Sequence, residues 1–258
     1  MKPVRKPNPR KKQPRKYCLN CGKEIDDNFC SGCGQKTSTH RISFRHFLMH
    51  DLLHGTFHFE RGMFFTAKEA LLRPGKAALD YISGKRVKYY NIFYFILFMI
   101  GINIFLGSIG ETTPENIKYS SEIERKLEEF TNNYEKYIFF CFIPFLAFNS
   151  FILFRRKKLN FSEHIIVSAF IFLGVLIIIP INNIPQLFPK SIEIFLELFG
   201  YFILTPGFMA FGYYNTFRKD YKLFGFLWRM FLFPMMFIFE FVALFVPIAL
   251  ILRAKHII

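Results

Sequence analysis

Four cysteines lie within sixteen residues near the start of the sequence, in two Cys-x-x-Cys pairs formed by Cys18 with Cys21 and by Cys30 with Cys33. Four thiolates at this spacing suit a tetrahedral ion, with zinc the first choice and iron the second. Because four sulfurs fill the tetrahedron, no position is left open for catalysis at the metal. A redox dithiol is the alternative, but a redox Cys-x-x-Cys normally works within a much larger βαβ unit. The sequence therefore predicts a structural Zn²⁺ site in a small zinc ribbon over residues 18–36, with the ion providing most of the folding free energy.

A second set of residues that could do chemistry is a row of histidines in HFLMHDLLHGTFH, at every fourth position. Residues at that step share one face of a helix, and apolar residues occupy the opposite face, so the segment predicts an amphipathic helix at a membrane surface. Imidazoles spaced in this way can chelate a metal, and they titrate near neutral pH. A metal- or pH-responsive site and a plain polar helix face therefore remain as alternatives for His46, His50, His54 and His58.

The segment LLRPGKAALDYISGKRVKYY carries the cations that come before the first apolar run. It predicts a helix that stops before Pro74, a hinge at Gly75 and a second short helix that ends at Gly84. Its cations are expected to anchor the following membrane helix among lipid headgroups, with a specific phospholipid or phosphate contact as the alternative. The candidate contact residues are Arg73, Lys85, Arg86 and Lys88.

The elements that must position these residues are mostly apolar: 52% of the chain is hydrophobic, and 37 of its 258 residues are Phe. A bilayer core requires about 20 mostly apolar residues in a helix. Such runs occur at about 90–109, 137–154, 164–184, 194–214 and 228–252. The sequence predicts an all-α integral membrane bundle of about five transmembrane helices over residues 89–258, preceded by interfacial amphipathic helices over residues 40–88 and by the zinc ribbon.

Charge is concentrated at the N-terminal end, where residues 1–88 carry a net charge of +12 out of +15. Basic residues also occupy the connections 155–158 and 218–222, whereas the connection 110–136 has a net charge of −3. By the positive-inside rule the basic segments face the cytoplasm. We therefore expect a multi-pass protein of the cytoplasmic (inner) membrane with its N-terminus in the cytoplasm, where the cysteines stay reduced.

The first seventeen residues form a basic, proline-containing tail without an acidic residue. This composition predicts disorder and attraction to anionic lipid headgroups. Nucleic acid is the competing partner for a basic tail beside a ribbon. It is not favoured, because no aromatic platform or recognition helix accompanies the tail.

Glu240 stands near the middle of the fifth apolar run. An acidic side chain at that depth costs at least about 2.5 kcal/mol, so it must face the bundle interior or be protonated. Asn103 and Asn149 are candidate partners at a similar depth. The two interpretations are a proton or ion site and an interhelical hydrogen bond that holds the bundle together.

The motifs CxxCG…FCxxCGQ and LLRPG…YISGKRVKYYN resemble those of an uncharacterised bacterial membrane-protein family, domain of unknown function 3667. The resemblance covers residues 18–95 and implies an N-terminal ribbon followed by a membrane region, but no activity. The family pattern leads us to expect a proline soon after the tyrosine pair, where Ile92 stands. The matching positions are Cys18, Cys21, Cys30, Cys33, Gly34, Gln35, Arg73, Pro74, Gly75, Tyr81, Gly84, Lys85, Arg86 and Tyr89.

Three functions are compatible with these features. The first is a non-enzymatic membrane adaptor or scaffold whose ribbon binds a cytoplasmic protein partner or lipid headgroups. The second is a small transporter or ion-handling protein that uses Glu240, and the third is a lipid-active membrane enzyme that uses the histidine row. The closed metal site favours the adaptor over an enzyme.

Overall fold

The computed structural model describes residues 16–37, 62–110, 141–182 and 198–254, together with residues 125, 139 and 196. The histidine row, residues 1–15 of the basic tail and nearly all of the connection 111–138 lie outside the described residues. Within the described ranges the body of the protein is helical, and the only β-type pairing is two isolated bridges in the ribbon.

Helices coincide with each of the five apolar runs, and two shorter helices come before them. Two helices, over Phe161–Pro180 and Leu223–Leu244, are long and apolar enough to cross a membrane, whereas the others are shorter, so five crossings stay a prediction. The helices are α1 (Gly62–Leu72), α2 (Pro74–Ile82), α3 (Ile92–Gly110), α4 (Cys141–Leu153), α5 (Phe161–Asn182), α6 (Thr205–Phe217) and α7 (Leu223–Ala254), with a π-helical turn at Gly200–Leu204 before α6.

Helices α1 and α2 form a hairpin that packs into the bundle. Ala70, Ala77 and Ala78 are completely buried, as is the polar side chain of Thr66. The packing is seen for residues 62–82, and the membrane-surface position that the sequence predicts for residues 40–88 stays a prediction. The physical reason for the packing is that small residues on the inner side of the hairpin allow its backbone to approach α5 and α6 closely.

Gly75 shows this close approach most clearly. A β-carbon on Gly75 would lie 2.4 Å from Thr216 Oγ1 and 2.7 Å from the Gly212 carbonyl oxygen of α6. Pro74 starts α2, as its fixed φ and missing N–H favour at a first helical position. The expected hinge at Gly75 is therefore wrong: the glycine belongs to the first turn of α2 and is required by packing.

Helix α3 begins at Ile92, without the proline that the family pattern led us to expect soon after the tyrosine pair. Asn91 accepts hydrogen bonds from the N–H groups of Phe93 and Tyr94 at 3.1 and 3.5 Å, so its side chain caps the helix. Ile92 itself is fully buried. An asparagine cap thus starts the helix where the family pattern led us to expect a proline.

Helix α5 is the centre of the bundle, and 83% of its apolar window is buried. Its Phe170 meets Tyr81 of α2 and Tyr89 of the following loop edge to face, with ring centroids 5.8 and 5.4 Å apart. Such edge-to-face pairs are favourable beyond the apolar area that they bury. The aromatic contacts fix the loop between α2 and α3 against the bundle.

Candidate metal centre

The four predicted zinc ligands come together in the structure. All four Sγ atoms of the cysteines lie within 4.8 Å of one another, and none is in a disulfide. Cys18 Sγ lies 3.6 Å from Cys33 Sγ, and Cys21 Sγ lies 3.5 Å from Cys30 Sγ. A Zn–S distance of about 2.3 Å implies an S···S edge of about 3.8 Å in a tetrahedron, so this donor set fits zinc with small adjustments.

Backbone hydrogen bonds fold each cysteine pair into the same turn. In the first turn, the Cys18 N–H donates to Lys23 O at 2.8 Å and the Gly22 N–H donates to Cys18 O at 2.9 Å. Twelve residues later the same two bonds recur at 2.9 and 2.8 Å. The metal centre is therefore an internal repeat, whose second copy is built from Cys30, Gly34 and Gln35.

The glycine of each turn is required by the backbone conformation. Gly22 and Gly34 have φ values of +75° and +72°. A β-carbon on either would meet no atom within 4 Å, so space is not the limitation. L side chains rarely adopt positive φ, and glycine is the residue that does so without strain.

The thiols already differ in acidity before any metal binds. The Gly32 N–H stabilises the Cys30 thiolate and lowers its pKa to about 7. The Lys23 N–H acts to lower the pKa of Cys21, but proton sharing with Cys30, burial, and hydrogen bonds with Cys33 and Cys18 together outweigh it and raise that pKa to about 11. A metal that binds all four sulfurs must displace this shared proton, so binding should strengthen as the pH rises.

Gln35 attaches the cysteine cluster to the helical body of the protein. Its side chain is 4% exposed, its Nε2 donates to Gly84 O at 2.9 Å, and its Oε1 accepts the Val87 N–H at 3.2 Å. Its own carbonyl oxygen accepts the Cys30 N–H of the second turn. One residue thus belongs both to the cysteine turn and to a docking contact with residues 84–87, which we call the docking loop.

The docking loop is shaped by Gly84, which has a φ of +102° and follows Ser83, the C-cap of α2. The Gly84 N–H donates to Tyr81 O at 3.1 Å. This is the glycine termination that the sequence predicts. Sequence reasoning found Gln35 only as part of the family resemblance and missed its docking role, because a glutamine after Cys-Gly carries no signal for a partner 49 residues away.

The cations that the sequence predicts to contact lipid headgroups lie against other protein side chains in the structure. Lys85 Nζ and Lys88 Nζ lie 3.0 and 3.1 Å from the two carboxylate oxygens of Asp80. Arg86 lies over the Tyr81 ring at 5.5 Å. Burial acts to raise the pKa of Asp80, but the two lysines outweigh it and lower that pKa. These cations therefore hold the docking loop on α2, and a lipid contact stays a prediction.

Arg73, the fourth predicted contact residue, forms an ion pair with Glu69 one helical turn earlier. The Glu69 side chain is 4% exposed and that of Arg73 is 51% exposed. The arginine therefore neutralises a buried carboxylate at the tip of the α1–α2 hairpin. The sequence did not single out Glu69, although a buried acid at i−4 of an arginine is a recognisable pair.

Glu240 lies far along the chain from the metal centre, on α7. Asn149 Nδ2 of α4 donates to Glu240 Oε2 at 3.2 Å. The other candidate partner, Asn103, instead donates to Met99 O and to Leu176 O at 2.8 and 3.0 Å. Of the two asparagines, the structure therefore brings Asn149 to Glu240.

Comparison with known proteins places one part of the chain. Residues 60–102 match the family model described as Protein of unknown function (DUF3667). No curated protein and no solved structure matches the chain. The matched residues cover α1, α2, the docking loop and the first part of α3, whereas the metal centre lies outside them. The resemblance drawn from the sequence is confirmed over residues 60–102, and the ribbon part of that resemblance lies outside the match.

Proposed function

We propose that this protein is a membrane adaptor: a zinc-bound ribbon on the cytoplasmic side of a multi-pass helical bundle holds a protein partner beside the inner membrane. The observation that carries the proposal is the closed four-sulfur centre that Gln35 ties to the docking loop. A structural ion gives a short segment a rigid shape, and a docked rigid segment can position a partner.

Membrane embedding is supported by the exposure of α7. Only 6% of its apolar window is buried, and Phe224, Phe231 and Phe239 are each at least 70% exposed. An uncovered apolar helix of this length is costly in water but suits contact with lipid acyl chains. Helix α5 alone would be weaker support, since a buried core helix of a soluble protein is equally apolar.

Orientation is supported by the two basic connections. Lys157 Nζ lies 3.1 Å from Asp220 Oδ2, and the Arg156 N–H donates to the Tyr221 hydroxyl at 3.0 Å. The connections after α4 and after α6 therefore lie at the same end of the bundle, as the positive-inside rule requires. The zinc ribbon is proposed to share that cytoplasmic side.

A binding role is favoured over catalysis by the composition of the centre. In the described parts of the chain, the four cysteines are the one group of three or more His, Cys, Asp or Glu side chains close enough to share an ion. Four sulfurs leave no coordination position for substrate. The lipid-active alternative depends on the histidine row, which lies outside the described residues.

The partner surface is proposed to include two exposed aromatic side chains. Tyr17 and Phe29 occupy equivalent positions, each directly before the first cysteine of a turn, and are 56% and 59% exposed. Aromatic residues are enriched at the centres of protein–protein interfaces. A cytoplasmic protein segment that packs on these rings is the occupant we propose.

The proposal is tested by crosslinking in intact cells, with the full-length protein in its membrane. Tyr17→Ala with Phe29→Ala, and separately Cys18→Ser with Cys30→Ser, should each abolish a crosslinked partner that the unchanged protein retains. Cys141→Ser is the matched control, because that cysteine is outside the metal centre. A partner that persists in both double variants, at equal protein level, would contradict the adaptor function.

A second candidate function, ion handling, is favoured by the contact between Glu240 and Asn149. It is independent of the metal centre. Glu240→Gln should leave crosslinking by the ribbon unchanged, so the two functions can be tested separately.

A further inference from the structure

The contact between α4 and α7 contains two polar atoms without partners. Asn149 is completely buried, and its Nδ2 donates to Glu240 Oε2 at 3.2 Å. Asn149 Oδ1 and Glu240 Oε1 are both buried, and neither has a hydrogen-bond partner among the described residues. Both atoms are acceptors when the carboxyl is ionised, so the site lacks a donor.

One proton supplies that donor for both atoms. A protonated Glu240 can donate from Oε1 to Asn149 Oδ1 while Oε2 continues to accept from Asn149 Nδ2. The acid and the amide then form a ring in which each group donates one hydrogen bond and accepts one. We propose that Glu240 and Asn149 form a proton-binding site inside the membrane, in which Glu240 is held as the neutral acid.

The surroundings of the pair favour the neutral acid over the ion. Phe237, one turn before Glu240, packs on Phe142 and Phe145 of α4 with ring centroids 5.1 and 6.2 Å apart. An ionised carboxylate in such apolar surroundings needs a cation or several donors to be stable. Among the described residues, the donor that hydrogen-bonds to Glu240 is the Asn149 amide.

Arg229, which comes before Glu240 on α7, contacts other groups. Its Nε donates to Leu153 O at 2.9 Å, and its guanidinium lies over the Tyr221 and Trp228 rings at 4.4 and 4.5 Å. It also lies about 16 Å from Glu240 by helix rise. Arg229 therefore does not neutralise Glu240.

The elements packed against α7 bring few other titratable groups. The hydroxyl of Tyr213 on α6 forms hydrogen bonds with Ser168 Oγ and with Leu146 O. Tyr214 packs its ring on Phe226, about four turns before Glu240. On α4 the titratable side chain is Cys141, two helical turns from Asn149. Among the described side chains, none of these groups is shown in contact with the carboxyl, so its protonation is set by the amide and the apolar surroundings.

A metal cation fits the site less well than a proton. Hard cations such as Ca²⁺ and Mg²⁺ require about six or more oxygen ligands. Within the part of the chain that the structure describes, the pair offers two oxygens without hydrogen-bond partners. One proton shared between these two oxygens satisfies both, because one oxygen then donates and the other accepts.

Infrared spectroscopy of the full-length protein in lipid tests the proposal. At neutral pH the difference spectrum between the unchanged protein and Glu240→Gln should show one carbonyl band of a protonated carboxylic acid. Asn149→Leu should shift that band to higher wavenumber, because the acid loses its hydrogen-bonded amide, and Asn103→Leu should not shift it. A difference spectrum that shows carboxylate bands alone, or an acid band that disappears when Na⁺ or K⁺ is added at constant pH, would overturn the proton site.

A chemical label provides a second measurement. N,N′-dicyclohexylcarbodiimide reacts with a protonated carboxyl in an apolar site: the acid proton moves to one nitrogen, the carboxyl oxygen bonds to the central carbon, and acyl migration gives a stable N-acylurea with no atom lost. We expect mass spectrometry to find the label on Glu240 at neutral pH and not on Glu69, which is ion-paired with Arg73. Equal labelling of Glu69 and Glu240 would contradict a specific neutral acid.

Discussion

The ribbon and the helical bundle keep their shapes by different means. The ribbon consists of two short turns with local hydrogen bonds and four converging sulfurs, and it has no apolar core of its own beyond Cys18 and Cys30. The bundle is held by apolar packing around α5. The two are joined through Gln35. Removing the metal and crowding the helices should therefore damage separate parts of the molecule.

The largest expected effect is that of metal loss on the ribbon. Structural zinc contributes about 10–16 kcal/mol to the folding of small zinc modules. Cys18→Ser with Cys30→Ser should therefore remove one equivalent of zinc and unfold residues 16–37, while the bundle keeps its helix content. Zinc content by mass spectrometry and helix content by circular dichroism measure the two outcomes.

Cys141→Ser is the control for this prediction and should retain the zinc. Loss of helix content in the double serine variant, equal to that seen on thermal unfolding, would contradict the independence of the two parts.

The next effect is destabilisation of the bundle by crowding. Gly75→Ala places a β-carbon 2.4 Å from Thr216 Oγ1 and 2.5 Å from its backbone nitrogen. Overpacking of this kind costs about 1–3 kcal/mol. We expect a lower thermal unfolding midpoint in detergent with zinc content unchanged.

Gly101→Ala is the matched control, since a β-carbon there meets no atom within 4 Å. Equal midpoints for the two alanine variants would show that the hairpin is not packed against α6 as described.

A smaller effect is expected where Gln35 connects the ribbon to the docking loop. Gln35→Ala leaves Gly84 O and the Val87 N–H without their partner, which costs about 1–3 kcal/mol for buried groups and less if water reaches them. Zinc binding should persist, because the Cys30 N–H bonds to the backbone of residue 35 rather than to its side chain. Limited proteolysis should cut the docking loop of this variant faster.

Lys23→Ala is the matched control, because Lys23 holds the position equivalent to Gln35 in the first turn. Unchanged cleavage of the docking loop in Gln35→Ala would show that the side chain does not hold the ribbon in place.

The smallest effect concerns the pH dependence of the docking loop. Lys85 and Lys88 lower the pKa of Asp80 in the folded protein, so its ion pairs stabilise the fold above the ordinary carboxyl pKa of about 3.9. That stabilisation is lost as the pH falls through the lowered pKa. Asp80→Asn should therefore lower the free energy of unfolding at pH 7 by less than about 1 kcal/mol per partly exposed pair, which a lower thermal unfolding midpoint would show. The substitution should have no effect in strong acid.

Sequence reasoning succeeded where a pattern is local. The metal centre follows from two Cys-x-x-Cys pairs at fixed spacing, and the helices follow from apolar runs. It did not find the contacts that join distant segments. The contacts of Gly75 with Gly212 and of Gln35 with Gly84 depend on how distant elements pack, and the local spacing of these residues does not predict that packing.

Hydropathy also could not distinguish the environments of two helices. Helices α5 and α7 are both apolar enough to cross a membrane, yet 83% of one apolar window and 6% of the other are buried. Apolar side chains suit a protein core and a lipid phase equally well. Only packing shows that α5 lies inside the bundle and that α7 presents its apolar surface outward.

If a metal-bound ribbon is docked on the helical bundle through Gln35, the Val87 amide should respond to loss of the metal. That N–H donates to Gln35 Oε1, so hydrogen exchange measured in lipid should speed up at Val87 when a chelator removes the zinc, together with exchange in the ribbon. In Gln35→Ala the Val87 amide should already exchange fast and should not respond to the chelator. Faster exchange in the ribbon with unchanged protection at Val87 would contradict the docking.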